Sequence, residues 1–270
     1  MDIVKRNFLN LLRRGALDED VPLEAMSDFK WNTLLRLGRA QGVGDIVGRA
    51  MASESAADLI PLTIRNVAAS SEYAKPTMEE AATDDEAEMS NFLFNKRLDK
   101  IRDQELHAMD TSVDTLQLLN LIVRNAEDIL TIGIYLRHLL IMGRFLRTNG
   151  ANIDFVKLET WLQKLQLQRM ALLEGSLLVA LFSFETDEIV FIDQTDSRAY
   201  RHGERSLRRG KLDFDHEKYF VTGREGVVRN NPRMVVHTFA RCLRFFSYAP
   251  VEALSNLIAS FASSLSEIEE

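Results

Sequence analysis

Apolar residues recur at intervals of three and four along most of this chain. The pattern is densest between Asp114 and Phe184, where Leu116, Leu119, Val123, Ala126 and Leu130 mark one face of a helix. Gly133 interrupts it. Tyr135, Leu139, Met142 and Leu146 then resume the step, with Leu136 and Leu140 widening the apolar face. A helix this apolar is expected to be buried on more than one side. Asn149-Gly150 closes it, and Asp154 is placed to cap a third helix carrying Phe155, Leu158, Trp161, Leu162 and Leu165. A fourth runs from about Gln168 to Phe184 with Met170, Leu173, Leu177 and Leu181.

The flanks read the same way. Ile3 to Arg14 predicts a short helix before Gly15, Ser27 or Asp28 caps a second with Trp31, Leu34, Leu35 and Leu37, and Asp45 caps a third. Pro61 breaks or restarts the alanine-rich run from Ser53 to Ser71. Pro76 opens a long helix, acidic early (Glu79 to Glu88) and basic late (Lys96 to Arg102), with a narrow seam of Phe94, Leu98 and Ile101. Only Ile189–Ile192 and Tyr219–Val221 look like strands. Pro232 opens a helix with Val235, Val236, Phe239, Leu243 and Phe246. Pro250 opens the last, in which Val251, Leu254, Ile258, Phe261 and Leu265 step by three and four without a miss.

The expected fold class is mainly α: a multi-helix bundle with at most a small β element, in a single helical domain over 1–270. Its parts are N-terminal helices (1–75), a long helix (76–109), a helical core (114–185), an irregular basic segment (186–231) and C-terminal helices (232–265).

Charge and cysteine content narrow the function classes. The net charge of -7 argues against general nucleic-acid binding and against an anionic membrane surface. No apolar stretch is long enough to cross a membrane, since Arg137, Arg144 and Arg147 interrupt the best candidate. The single cysteine, Cys242, fits a reducing compartment and reads as a small core residue. The N-terminus has no long apolar region, so a cytoplasmic location is expected.

Two segments invite chemistry. Arg198, Arg201, Arg205, Arg208, Arg209 and Lys211 lie close together with one acid, Glu204, between them. Arginine clusters grip phosphate or carboxylate bidentately, so a possible anionic ligand belongs here; the alternative is a basic loop neutralised by the protein's own excess acids. Asp213 and Asp215, on alternate residues, could hold Mg²⁺ for nucleotidyl transfer if they sat on a strand. Such a site also needs a glycine-rich turn and a third carboxylate. Here Glu204 follows Gly203 and His216 follows the pair, so the surface-loop reading is preferred. The five histidines show no metal-ligand spacing, and no cofactor is implied.

Residues Leu116 to Leu146, LQLLNLIVRNAEDILTIGIYLRHLLIMGRFL, resemble the helical region behind the catalytic core of the uncharacterised bacterial nucleotidyltransferase family, best over Gly133 to Arg137. Arg241 to Ala253, RCLRFFSYAPVEA, resembles its C-terminal segment, and Trp31 to Val47 its opening helices. The family's lysine-glycine turn and Asp-x-Asp strand have no counterpart before Leu116, and the link between Met109 and Asp114 is too short for a catalytic core. Its histidines near Arg124 and Asp128 are absent, and isoleucine stands at Ile141 where it has an aspartate. The resemblance therefore implies a non-catalytic, nucleotidyltransferase-related helical protein that acts by binding an unknown protein partner. The alternatives are an atypical metal-dependent nucleotidyltransferase using Asp213 and Asp215, or an anion-sensing module using Arg198–Lys211.

Overall fold

A computed structural model describes residues 1–53, 59–70, 87–208, 220–222, 228–230 and 232–266. The described chain is mainly helical. Its helices are α1 (Ile3–Leu17), α2 (Asp28–Ala40), α3 (Gly44–Ala52), α4 (Leu62–Ala68), α5 (Phe92–Leu106), α6 (Val113–Thr131), α7 (Leu136–Asn149), α8 (Phe155–Leu165), α9 (Gln168–Phe182), α10 (Ala199–Arg208), α11 (Pro232–Phe245) and α12 (Pro250–Ser266). The described strands are β1 (Phe220–Thr222) and β2 (Val228–Asn230), an antiparallel pair with Val221 opposite Arg229. The mainly α class with a small β element is what the spacing predicts. The chain forms two compact units, each assembled from separate segments: Met1–Glu86, Tyr135–Ala151 and Glu174–Lys211 in the first, Ala87–Ile134, Asn152–Leu173 and Leu212–Glu270 in the second.

In the first unit, Asp2 caps α1 by accepting from the backbone N–H of Lys5. The helix buries Phe8, Leu11 and Leu12 completely and packs on α2, α3 and α7. Its approach to α3 is as close as backbones allow: a Cβ on Gly15 would overlap the carbonyl oxygen of Ile46. Asp45 does not cap α3, because the helix already begins at Gly44. Its carboxylate instead forms a buried ion pair with Arg137 of α7, whose Nε also donates to the carbonyl of Gly42. Glu19 accepts from Arg13 and Arg147, and the Arg147 guanidinium lies 4.0 Å from the ring centre of Phe184.

The second unit is built on α6. Leu118, Leu119, Ile122, Val123, Ala126, Ile129 and Leu130 are all buried, which is why α5, α8, α11 and α12 can each find a face on this one helix. Its end is set by Gly133, at φ +106°, whose N–H, like that of Ile132, donates to the carbonyl of Asp128. Asp154 caps α8 through Val156 and Lys157, as its position predicts. Lys157 ties this helix to the α5–α6 link through Glu105, Ser112 and the carbonyl of Asp110.

Three expectations need correction. The long helix expected from Pro76 is not continuous: residues 87–91 are not helical, the helix carrying Phe94, Leu98 and Ile101 starts at Phe92, capped by the Asn91 side chain, and 71–86 lie outside the described residues. Ile189–Ile192 is not a strand. It turns directly after a short 3₁₀ segment (Thr186–Glu188), so that Ile189 and Ile192 both pack on Gly175 of α9. Burial, not pairing, explains the apolar run. The segment expected to be irregular over 186–231 contains α10, because Ala199, Gly203 and Leu207 are spaced by four and all face inward.

Leu98 of α5 is fully buried, as are the faces of α6 and α8 on which α5 packs. Leu98→Ala is expected to lower unfolding free energy by about 2–5 kcal/mol in denaturant titrations. A change below about 0.5 kcal/mol, typical of surface sites, would show that this join is not part of the core.

Candidate functional site

The arginine segment predicted to meet an anion is helical where it is described. Arg198 pairs with Asp196, and Glu204 pairs with Lys5. Arg201 and Arg205, one turn apart on α10, are exposed, and among the described residues nothing pairs with either. The side chain of Arg208 and all of Arg209 and Lys211 lie outside the described residues. So do Asp213 and Asp215, the candidate metal pair.

A polar cleft in the first unit, about 470 Å³, lies between the end of α1 and α3. Of its charged groups, Arg14 pairs with Asp20 and Glu19 with Arg13 and Arg147, so most of its electrostatic capacity is spent internally. Among the described residues no group of three histidine, cysteine, aspartate or glutamate side chains is arranged to hold a metal, and no helix is long and apolar enough to cross a membrane.

The most informative surface belongs to the second unit. Among the described side chains of α11, Thr238, Arg241, Cys242 and Phe245 are buried, while Phe239 and Leu243 are 44% and 59% exposed and Phe246, just past the helix end, is 45% exposed. Among the described side chains of α12, Glu252, Ala253 and Asn256 are buried, while Leu254 and Ile258 are 52% and 60% exposed. Among the described side chains, both helices thus leave large apolar residues outward while burying polar ones, Thr238 and Arg241 on α11 and Glu252 and Asn256 on α12, although α11 buries Cys242 and Phe245 as well. The two helices pack side by side, so the stripes belong to one helical hairpin.

On α12 the inward polar groups have partners that explain the inversion. The Glu252 carboxylate accepts from the backbone N–H groups of Ser90 and Asn91, and the Asn91 side chain donates to Ser255. Arg102 of α5 donates to Asn120 and to the carbonyl of Ala87, holding the same stretch from its other end. Burial pushes the Glu252 carboxyl above its ordinary range despite the two donated N–H groups. Burial also raises Glu127 on α6; neighbouring Asp128 adds to the rise and Arg124 opposes it. The Cys242 thiol is buried, as expected of a core residue, and burial raises it too.

Residues of the Gly133–Arg137 and Arg241–Ala253 segments have structural work here. Arg137 holds Asp45 and Gly42, while Arg241, Phe245, Tyr248, Glu252 and Ala253 are all buried. No family model matches this chain, no curated protein is significantly similar to it, and no solved structure matches it.

Reading the sequence alone, one finds the stripes of α11 and α12 but not their direction. A usable signal was present: from Pro250 to Ser266 the sole charged residue is Glu252, so the helix has no conventional solvent face.

Because its folded-state pKa is raised, Glu127 contributes stability below its unfolded value, about 4.3, and loses it as pH rises through the raised value. Glu127→Gln is therefore expected to raise the melting temperature at pH 7.5 (roughly neutral) and to leave it unchanged near pH 4, where the wild-type carboxyl is already protonated. Equal or lower stability of the variant at neutral pH would contradict this electrostatic account.

Proposed function

We propose that this chain is a non-catalytic helical protein that works by binding a macromolecular partner through the outward face of α11 and α12. The observation that supports it is the inversion just described: Phe239, Leu243, Phe246, Leu254 and Ile258 stand about half exposed on one hairpin. Isolated apolar residues on a surface mean little, but a contiguous set marks an interaction site. Aromatic and aliphatic side chains on a rigid helix are also the groups that supply binding energy at interfaces. Relation to the uncharacterised bacterial nucleotidyltransferase family is part of this proposal, supported by Leu116–Leu146 and Arg241–Ala253; the chain would then be a helical shell that has outlived its catalytic core. A cytoplasmic location is also part of it, supported by the single cysteine, Cys242.

A photo-crosslinking side chain in place of Leu254 is expected to give one discrete adduct larger than the chain in cells, whereas the same group in place of exposed Gln163 on α8 gives none. Equal yields at the two positions, or none at position 254, would overturn the reading.

A second reading, an anion-sensing module, is favoured by Arg201 and Arg205 on the exposed face of α10. Such contacts are screened over a Debye length of about 8 Å at physiological ionic strength, so binding of a polyphosphate probe should weaken steeply with salt. Arg201→Ala with Arg205→Ala should abolish that binding without changing the helical content. Binding that survives both substitutions would remove this reading.

A further inference from the structure

We infer that the partner seated on the α11–α12 face is a second copy of this chain, giving a two-fold dimer in which two helical hairpins pack as four helices. The inference rests on the partner-binding reading and names its occupant. Three observations carry it.

The first is spacing. Val251, Leu254 and Ile258 are separated by three and four residues, and Phe239, Leu243 and Phe246 by four and three. That alternation is the seam of helices packed lengthwise on other helices. Phe261 and Leu265 continue the same step in the sequence.

Charge is the second. The chain carries a net charge of -7, so two copies repel each other over most of their surface. Helix α12 is the exception: its one charged residue, Glu252, is buried and engaged with Ser90 and Asn91. The positions flanking the seam, Ser255, Leu257 and Ala259, are uncharged. Helical partners of a different sequence are selected largely by charged residues beside the seam. On α12 the seam offers none to select with, while on α11 the half-buried Arg244 lies beside Leu243; an apolar stripe without charged flanks can meet its own copy across a two-fold axis, as an isologous interface requires.

Area is the third. Seventeen residues at 1.5 Å each make α12 about 25 Å long, and two adjacent helices are about 20 Å wide. Roughly 500 Å² of face per copy gives on the order of 1,000 Å² in the pair, which reaches the size of a specific interface at its lower end. The dimer is thus expected to be reversible, with dissociation visible on dilution.

Sedimentation equilibrium of the purified full chain decides the matter. The expected result is a mass of twice 30.8 kDa at high micromolar concentration, falling toward 30.8 kDa on dilution. Leu254→Glu and, on the other helix, Phe239→Glu should each weaken association roughly 30-fold or more while leaving the far-ultraviolet spectrum unchanged. Gln163→Glu should have no effect. Two variants on separate helices keep the result readable if one of them misfolds. A wild-type chain that stays monomeric at all concentrations, or a dimer indifferent to both glutamates, overturns the inference. The two readings fail separately. A monomer whose position-254 crosslinker still gives a discrete adduct of another mass has a different partner, and only self-association falls. A monomer with no adduct removes partner binding through this face as well.

Discussion

The carboxylate of Glu252 decides which way the last helix faces. It lies in the first turn of α12, where a helix N-terminus favours negative charge, and it accepts the backbone N–H groups of Ser90 and Asn91. Those two N–H groups belong to the part-buried stretch just before α5, and a hydrogen bond to a charged group contributes about 1.5–3 kcal/mol. Once Glu252 must point inward, the 3.6-residue period leaves no freedom. Ala253 and Asn256 follow it into the interior, and Leu254 and Ile258 are carried to the outside. A hydrogen bond thus fixes the rotation of a helix against the preference of its apolar side chains.

Such an arrangement is costly for an isolated chain and sensible for an associating one. Fully burying a large apolar side chain is worth about 1.5–3 kcal/mol, and the outward stripe forgoes part of this at five positions. The loss is recovered when another helical surface covers it. The exposed stripe and the buried carboxylate are therefore two sides of one constraint, and the proposed function rests on both.

The first unit shows polar groups used differently. Arg137 is spent on Asp45 and Gly42, and Glu19 is held between Arg13 and Arg147. Removing one partner of a buried pair leaves an uncompensated charge, so such residues persist for structural reasons alone. A sequence pattern built from them speaks to packing more than to chemistry.

The helical pattern was legible residue by residue. The step of Leu119, Val123, Ala126 and Leu130 located α6, Gly133 marked its end, Asp154 the start of α8, and Pro61, Pro232 and Pro250 three other helix starts. These features are local: they depend on side-chain periodicity, on φ, and on a missing N–H, all of which travel with the residue itself. What periodicity cannot supply is a direction. A stripe of Val251, Leu254 and Ile258 looks identical whether it meets its own core or another molecule. The helical state of Arg201 and Arg205 was hidden for a related reason, since that basic segment is a helix around a buried seam of Ala199, Gly203 and Leu207, with Gly203 against Leu181. Sequence determined where the helices lie because backbone geometry is set within a few residues. Tertiary structure alone decided which faces were buried, because that choice was made by Glu252 and by N–H groups more than 160 residues away in the chain.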